Sequence, residues 1–311
     1  MLALVIVRVW LGETMNNFMI GQYGSFDYYK FNRDFKDVFF GIEACLFAQE
    51  KDTLNLIKES QEKGFQIGIH FPFRSENVKV RDALFLDQNK KTREDAYNWI
   101  ENELEYLTSV NPAYVLFHYP KPVILDDRVD WSKWRFTNPS EFVYESNYSF
   151  EELKEYSEYL FEWLSQKSEQ FNFTPVLEFD GINQYVYHND FLVDLLEKYK
   201  NIKLCLDTGR LHLQDKLDPN FDATSTIKKY AKYAKLIHLW NVQVNEQVEH
   251  SHFPVLPELK PEDGWAPIEV YLRIIKQENK NVKILFEHRS DLISEEDLER
   301  CYSWVDDILN H

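Results

Sequence analysis

Between Pro175 and Trp240 the chain contains three short apolar runs, Pro175-Val-Leu-Glu-Phe179, Lys203-Leu-Cys-Leu-Asp207 and Lys235-Leu-Ile-His-Leu-Trp240, separated by longer amphipathic stretches. Each run is nearly continuous in apolar residues, as a strand buried on both faces of a parallel sheet must be. Each also carries an acid or an imidazole near its C-terminal end: Glu178, Asp207 and His238. Working outward, the same unit recurs at Phe18–Tyr23, Val38–Ala44, Gln66–Phe71 and Ala113–His118 before it and at Val282–Glu287 after it, which makes eight. Helical patterns lie between the runs. Ser149 with Glu152 forms a capping-box signature, and Leu153, Tyr156, Leu160, Trp163 and Leu164 then make one apolar stripe. Asp95 to Leu107 turns Ile100, Leu104 and Leu107 inward, and Ser294 with Asp297 opens a last helix that carries Leu298, Cys301, Val305 and Ile308. Eight strand–helix alternations without a Gly/Ser- or Pro-rich linker predict an α/β chain closed into a (β/α)8 TIM barrel, one domain over residues 1–311.

Length and composition agree with that frame and narrow the function. A barrel of about 250 residues with insertions is a normal size for one core. Acidic residues outnumber basic ones by 52 to 35, a formal charge of −17. A surface of that sign repels phosphate backbones at long range, so a nucleic-acid partner is disfavoured, while a small anion held by a few local Arg or Lys residues is not. Cys45, Cys205 and Cys301 are odd in number and in no C-x-x-C pair, so they read as reduced core residues of a cytoplasmic protein. The apolar Leu2–Trp10 is interrupted by Arg8, is too short to span a bilayer and lacks the flanks of a signal peptide. It reads as an N-terminal extension over 1–16, or as a start-site artefact, Met15 and Met19 lying close to the first clear strand. The longest interruption, 121–148 after the fourth strand, is dense in aromatics (Trp131, Trp134, Phe136, Phe142, Tyr144, Tyr148). Loops after barrel strands face the catalytic side, so this insertion is expected either to wall the substrate or to cover its own base as a packed excursion.

The polar residues at the strand ends carry the chemistry. Glu43, His70, His118, Glu178, Asp207, His238 and Glu287 close strands two to eight in turn, and in a parallel barrel these ends open on one cleft. A carboxylate ending a Val/Ile/Leu/Phe strand needs a cation or hydrogen bonds to offset its burial. Three carboxylates and one imidazole (Glu178, Asp207, His238, Glu287) suit Mn²⁺, Mg²⁺, Co²⁺ or Zn²⁺. His70 and His118, with Glu178 as a bridge, offer a second, nitrogen-richer site that favours Zn²⁺, or else bind substrate by hydrogen bonds. The alternative for the carboxylates is a set of salt-bridged structural groups, and for His238 a satisfied core imidazole.

At this point the sequence resembles the xylose isomerase-like TIM barrels, which include sugar isomerases, epimerases and dehydratases and the endonuclease IV-type apurinic endonucleases. The resemblance runs from about Gly21 to Glu287 and rests on I-H-F-P-F (His70), L-F-H-Y-P (His118), V-L-E-F (Glu178), C-L-D-T-G-R (Asp207), I-H-L-W-N (His238) and I-L-F-E-H (Glu287). It implies that Glu178, Asp207, His238 and Glu287 hold one divalent ion and that Glu178 and Glu287 also act as acid and base. It further implies that His70 and His118 match imidazole ligands of an added zinc in the endonuclease branch. The chemistry is consistent in itself: a metal that polarises a carbonyl and its neighbouring hydroxyl stabilises an enediolate, and flanking carboxylates move the proton.

Two positions depart from the family pattern. Arg210 stands where D-x-x-H expects a histidine, with His212 two residues later, and His250-Ser-His252 replaces the expected Asp-x-His. A third metal is therefore not expected, and Arg210 is free to fork onto a substrate carboxylate or phosphate. Arg289 and Glu43 read as rim groups, and His212 and His288 as structural ones. The leading expectation is a metal-dependent isomerase or epimerase of a sugar, sugar phosphate or polyol. The alternatives are a two-metal phosphodiesterase or endonuclease, and a metal-binding barrel without activity. A homo-oligomer is compatible with any of these.

Overall fold

The structure, a computed structural model, describes residues 15–75 and 80–310. The expectation for Leu2–Trp10 lies outside them. Eight strands, β1 (Phe18–Tyr23), β2 (Gly41–Cys45), β3 (Gln66–His70), β4 (Tyr114–Tyr119), β5 (Thr174–Phe179), β6 (Lys203–Asp207), β7 (Ala234–Leu239) and β8 (Lys283–Phe286), pair in chain order and close into a barrel. Every pairing around the ring is parallel, including β1 with β8.

Helices join the strands outside the ring: α1 (Tyr28–Asp34), α2 (Glu50–Lys63), α3 (Lys90–Leu107), α4 (Phe150–Phe171), α5 (Phe191–Lys198), α6 (Thr208–Leu217), α7 (Ala223–Tyr230), α8 (Ile268–Glu278) and α9 (Glu295–Asn310). The capping box at Ser149 is complete, with the Ser149 hydroxyl accepting from the Glu152 amide and the Glu152 carboxylate from the Ser149 amide. Ser294 likewise accepts from the Asp297 amide. Among the described residues no helix is long and apolar enough to cross a membrane.

The period of two along each strand divides the core. Leu177, Phe179, Leu204, Leu206, Ile237, Leu239, Ile284 and Phe286 join the large cluster under the helices. The alternate residues Met19, Tyr114, Leu116, Val176, Cys205, Leu236 and Leu285 form a separate plug inside the ring. Two residues further along the same strands stand His118, Glu178, Asp207, His238 and Glu287, so the plug is the floor on which the polar groups rest. All three cysteines are free and buried, as the sequence led one to expect.

The insertion has a small core of its own, Val123, Leu125, Val129, Trp131 and Trp134. Its short strands Val123–Leu125 and Phe142–Tyr144 pair in parallel. The segment also turns Lys133, Trp134, Arg135 and Thr137 toward a cavity beside the strand ends. The insertion thus covers its own base and lines part of a cavity. A second excursion, the antiparallel hairpin Asn241–Val244 with Val248–Phe253, follows β7.

Candidate metal centre

Three groups of buried donors share Glu178. In the first, one ligand atom from each of Glu178, Asp207, His238 and Glu287 falls within 4.8 Å of the others. A second group, His70, His118 and Glu178, meets the same limit, as does a third, Glu178, Cys205 and His238. In the third, burial pushes the Cys205 thiol up, which leaves it a weak ligand.

Each imidazole is held by one nitrogen and presents the other. His118 Nδ1 lies 2.7 Å from Asp82 Oδ1 and His70 Nδ1 lies 3.0 Å from the Phe71 carbonyl. A carboxylate and a carbonyl only accept, so both Nδ1 atoms carry hydrogen and both Nε2 atoms are turned on Glu178 Oε2, each 3.3 Å away. His238 is held the other way round. Its Nε2 lies 3.2 Å from Glu43 Oε1, and its Nδ1 faces Glu178 Oε1 at 3.4 Å and Glu287 Oε2 at 3.2 Å. Glu43 is itself fixed by the Tyr114 hydroxyl, which donates to Oε2 at 2.7 Å. That phenol reaches across Gly68, where an added Cβ would stand 2.2 Å from the Tyr114 ring. Carboxylates behind histidines are the usual device for fixing the tautomer of a metal ligand.

Asp207 is positioned by its own D-T-G-R segment together with Trp240. Its Oδ1 accepts the Arg210 amide and caps α6, and its Oδ2 accepts the Trp240 indole N–H at 2.9 Å. Trp240 lies flat over Gly209, where a Cβ would come within 2.4 Å of the indole. A carboxylate has about four acceptor directions, so Asp207 keeps capacity for a cation.

The donors fit a cation and lack one's charge. His118 Nε2, Glu178 Oε2, His238 Nδ1 and Glu287 Oε2 are buried and form no hydrogen bond among the described residues. Orphaned buried polar atoms are costly, and here they converge. The electrostatics agree. Burial, then the charges of Glu287 and Glu178, push the Asp207 carboxyl up to about 8. Burial opposes a charged His238, yet the carboxylates Glu178, Glu43 and Glu287 hold the imidazole well above its ordinary value. Against burial, His238 in turn draws Glu287 down to about 2. Protons are thus recruited to supply the positive charge that a divalent ion supplies directly.

No protein-family model and no curated protein sequence matches the chain. Solved structures do match it. A D-tagatose 3-epimerase-like protein is 13% identical, covers 93% of this chain and 98% of its own, and superposes with a TM-score of 0.60. The IolI protein with a bound zinc atom is 13% identical over 93% of this chain and 97% of its own, TM-score 0.61. A xylose isomerase domain containing protein from Salmonella typhimurium is 13% identical over 96% and 98%, TM-score 0.57. The chain has the fold of the xylose isomerase-like TIM barrels.

In this barrel the other expected residues take varied places. Arg210 does not stand free: its NH1 pairs with Asp180 Oδ1 at 2.6 Å, and its Nε lies 3.5 Å from Asp207 and 3.6 Å from Glu178. Arg289 is exposed at the rim and paired with Asp291 at 2.7 Å. His212 packs away from the centre, with Nδ1 3.5 Å from the Tyr271 hydroxyl. His288 is buried against Phe286, and burial, with Lys30 and Arg33 nearby, holds its pKa well below the ordinary value. His250 stacks on Trp265, and His252 stacks on Trp240 with centroids 4.1 Å apart.

Four supporting residues escaped the sequence reading. Asp82 orients His118; Lys121 bridges Asp82 and Asp180 at 2.7 and 2.6 Å; Trp240 holds Asp207. Asp180 carried a legible signal, standing two residues after Glu178 on the same inward alternation. Asp82 carried none, because it comes from the loop before α3.

Proposed function

We propose that this chain is a metal-dependent isomerase or epimerase of a small carbohydrate-like substrate. The observation that carries the reading is the convergence of orphaned buried donors from Glu178, His238 and Glu287 beside Asp207. The relative named as D-tagatose 3-epimerase-like and the IolI protein with bound zinc support it at the level of fold. Glu178, Asp207, His238 and Glu287 would hold one divalent ion, which when bound polarises a substrate carbonyl and the adjacent hydroxyl.

The remaining work belongs to the chain. Glu287 is the ligand most open to the cleft of about 670 Å³ at the strand ends, and its low pKa keeps it ionised at neutral pH. It can take a proton from the carbon next to a carbonyl. Glu178 lies between His70, which lines that cleft, and His118, which lines the neighbouring one. For epimerisation Glu287 keeps the proton it has taken, and Glu178, after taking up a proton from water, would deliver that second proton to the other face of the carbon; for isomerisation one carboxylate carries the same proton to the next carbon. Trp240 and His252, stacked in parallel, make a flat side wall of the smaller cavity.

The test is deuterium exchange at the carbon next to the carbonyl, followed by NMR over a panel of ketoses in D₂O with Mn²⁺ or Zn²⁺ present. Glu287→Gln is expected to slow exchange by at least about 10²-fold, within the range for loss of a general base. Equal exchange in Glu287→Gln, Glu178→Gln and the parent chain would sink the proposal.

A second reading has an observation of its own. His70, His118 and Glu178 form a second donor group, and Asp82 backs His118 as a carboxylate backs a zinc histidine. Two ions sharing Glu178 would suit a phosphodiesterase, in which paired metals clamp attacking and leaving oxygens. It predicts two ions per chain and cleavage of bis(p-nitrophenyl) phosphate; one ion, or no cleavage, rejects it.

A further inference from the structure

The cleft and its neighbour of about 230 Å³ are lined in common by Arg81, Arg135, Ser251 and His252, which therefore stand where the two cavities meet. The smaller cavity is cationic in an acidic chain. It is lined by Arg81, Lys121, Lys133, Arg135 and Arg210 against Asp82, Glu141 and Asp180, five cations to three carboxylates, while the whole sequence has 52 acids to 35 bases.

Most of these charges are spoken for. Lys121 binds Asp82 and Asp180, Arg210 binds Asp180, and Glu141 accepts the Thr137 amide. Arg81, Arg135 and Lys133 are different: among the described residues none of their side chains forms a hydrogen bond or an ion pair, and of the three only the two arginines line both cavities. Arg81 feels the field of Asp82 and Asp180 but bonds to neither. The charge of Arg210 acts against a cationic Arg81, and an oxyanion at this junction offsets that cost through charge-assisted, bidentate hydrogen bonds. Ser251 adds a hydroxyl at the same junction.

We infer that Arg81 and Arg135 form an anion subsite, so that the substrate is a small molecule carrying a carboxylate or a phosphate monoester at the end remote from the metal. The assignment rests on the reading of the cleft as a small-molecule site. It also gives the insertion a task, since Arg135 projects from it while Arg81 comes from the loop before α3. The negative surface keeps polyanions at a distance, whereas a compact anion inside the cleft meets the local positive field.

Isothermal titration calorimetry tests it, using the zinc-loaded chain with inorganic phosphate, D-gluconate and D-glucose as probes. At least one anion is expected to bind tenfold or more tightly than glucose. The double variant Arg81→Gln/Arg135→Gln is expected to lose at least tenfold of that affinity with its zinc content unchanged. Whichever of phosphate and gluconate shows the loss identifies the substrate's charged group. Arg135→Gln alone, at an exposed side chain, guards against misfolding and should lose about threefold with an unaltered melting temperature. Anion affinity equal in variant and parent would place the anion on the metal and overturn the subsite, as would anions that bind no better than glucose. Because sugar-proton exchange is measured separately, the subsite and the isomerase reading can fail independently.

Discussion

At the scale of single residues, the candidate centre combines imidazoles fixed at one nitrogen, orphaned oxygens of Glu178 and Glu287, and an Asp207 held at both of its oxygens. Glu178, Asp207, His238 and Glu287 were legible because each breaks an apolar strand at its C-terminal end, where a charge has no other excuse. Arg210 was legible as a departure from the family pattern, and the structure pairs it with Asp180 beside the smaller cavity. Nothing in the sequence ties Asp82 to His118, since 36 positions and a whole helix separate them. That pairing yields a prediction. Asp82→Asn should leave the Asp207 ion in place and weaken a second ion, at His70 and His118, by about 10- to 100-fold. Zinc titration of the metal-free variant reads both steps, and two unaltered steps would show that Asp82 does not act through His118.

At the scale of elements, the strand ends and helix starts are held by close backbone approaches that a residue pattern does not display. The eight strands were read with nearly their observed limits because burial on both faces leaves a strong apolar signal. The reason for glycine in D-T-G-R was not visible, since it lies in a tryptophan just past the end of the next strand. Gly209→Ala should push the Trp240 indole off, remove its hydrogen bond to Asp207 and lower metal affinity about tenfold or more, with the far-UV circular dichroism unchanged. Unchanged affinity would mean that the indole does not orient Asp207. The insertion gave only aromatic density in sequence. Its apolar residues read correctly as a local core, but Arg135 needed the folded cleft beside it to acquire meaning.

At the scale of the molecule, stability is coupled to protons that the fold refuses. Burial, with Lys216 nearby, depresses His212 to about 4 from an ordinary 6.5. In the unfolded chain it takes its proton near 6.5, in the folded chain only near 4, so the unfolded state binds more protons between those values. His212 thus favours the folded state fully above about pH 6.5, and that contribution is lost as the pH falls toward 4. His212→Asn should flatten the decline in melting temperature from pH 7 to 5 relative to the parent; parallel profiles would contradict the assignment. The same linkage would govern the candidate centre, because a bound ion would replace the protons that Asp207 and His238 otherwise retain. The most direct measurement is therefore the metal content of the purified chain after loading with zinc or manganese and exhaustive dialysis. At least one equivalent should remain in the parent, and the Asp207→Ala/Glu287→Ala double variant should lose that equivalent while keeping its fold. A parent chain that retains no metal, or a double variant that retains as much as the parent, would contradict a cation at Glu178, Asp207, His238 and Glu287.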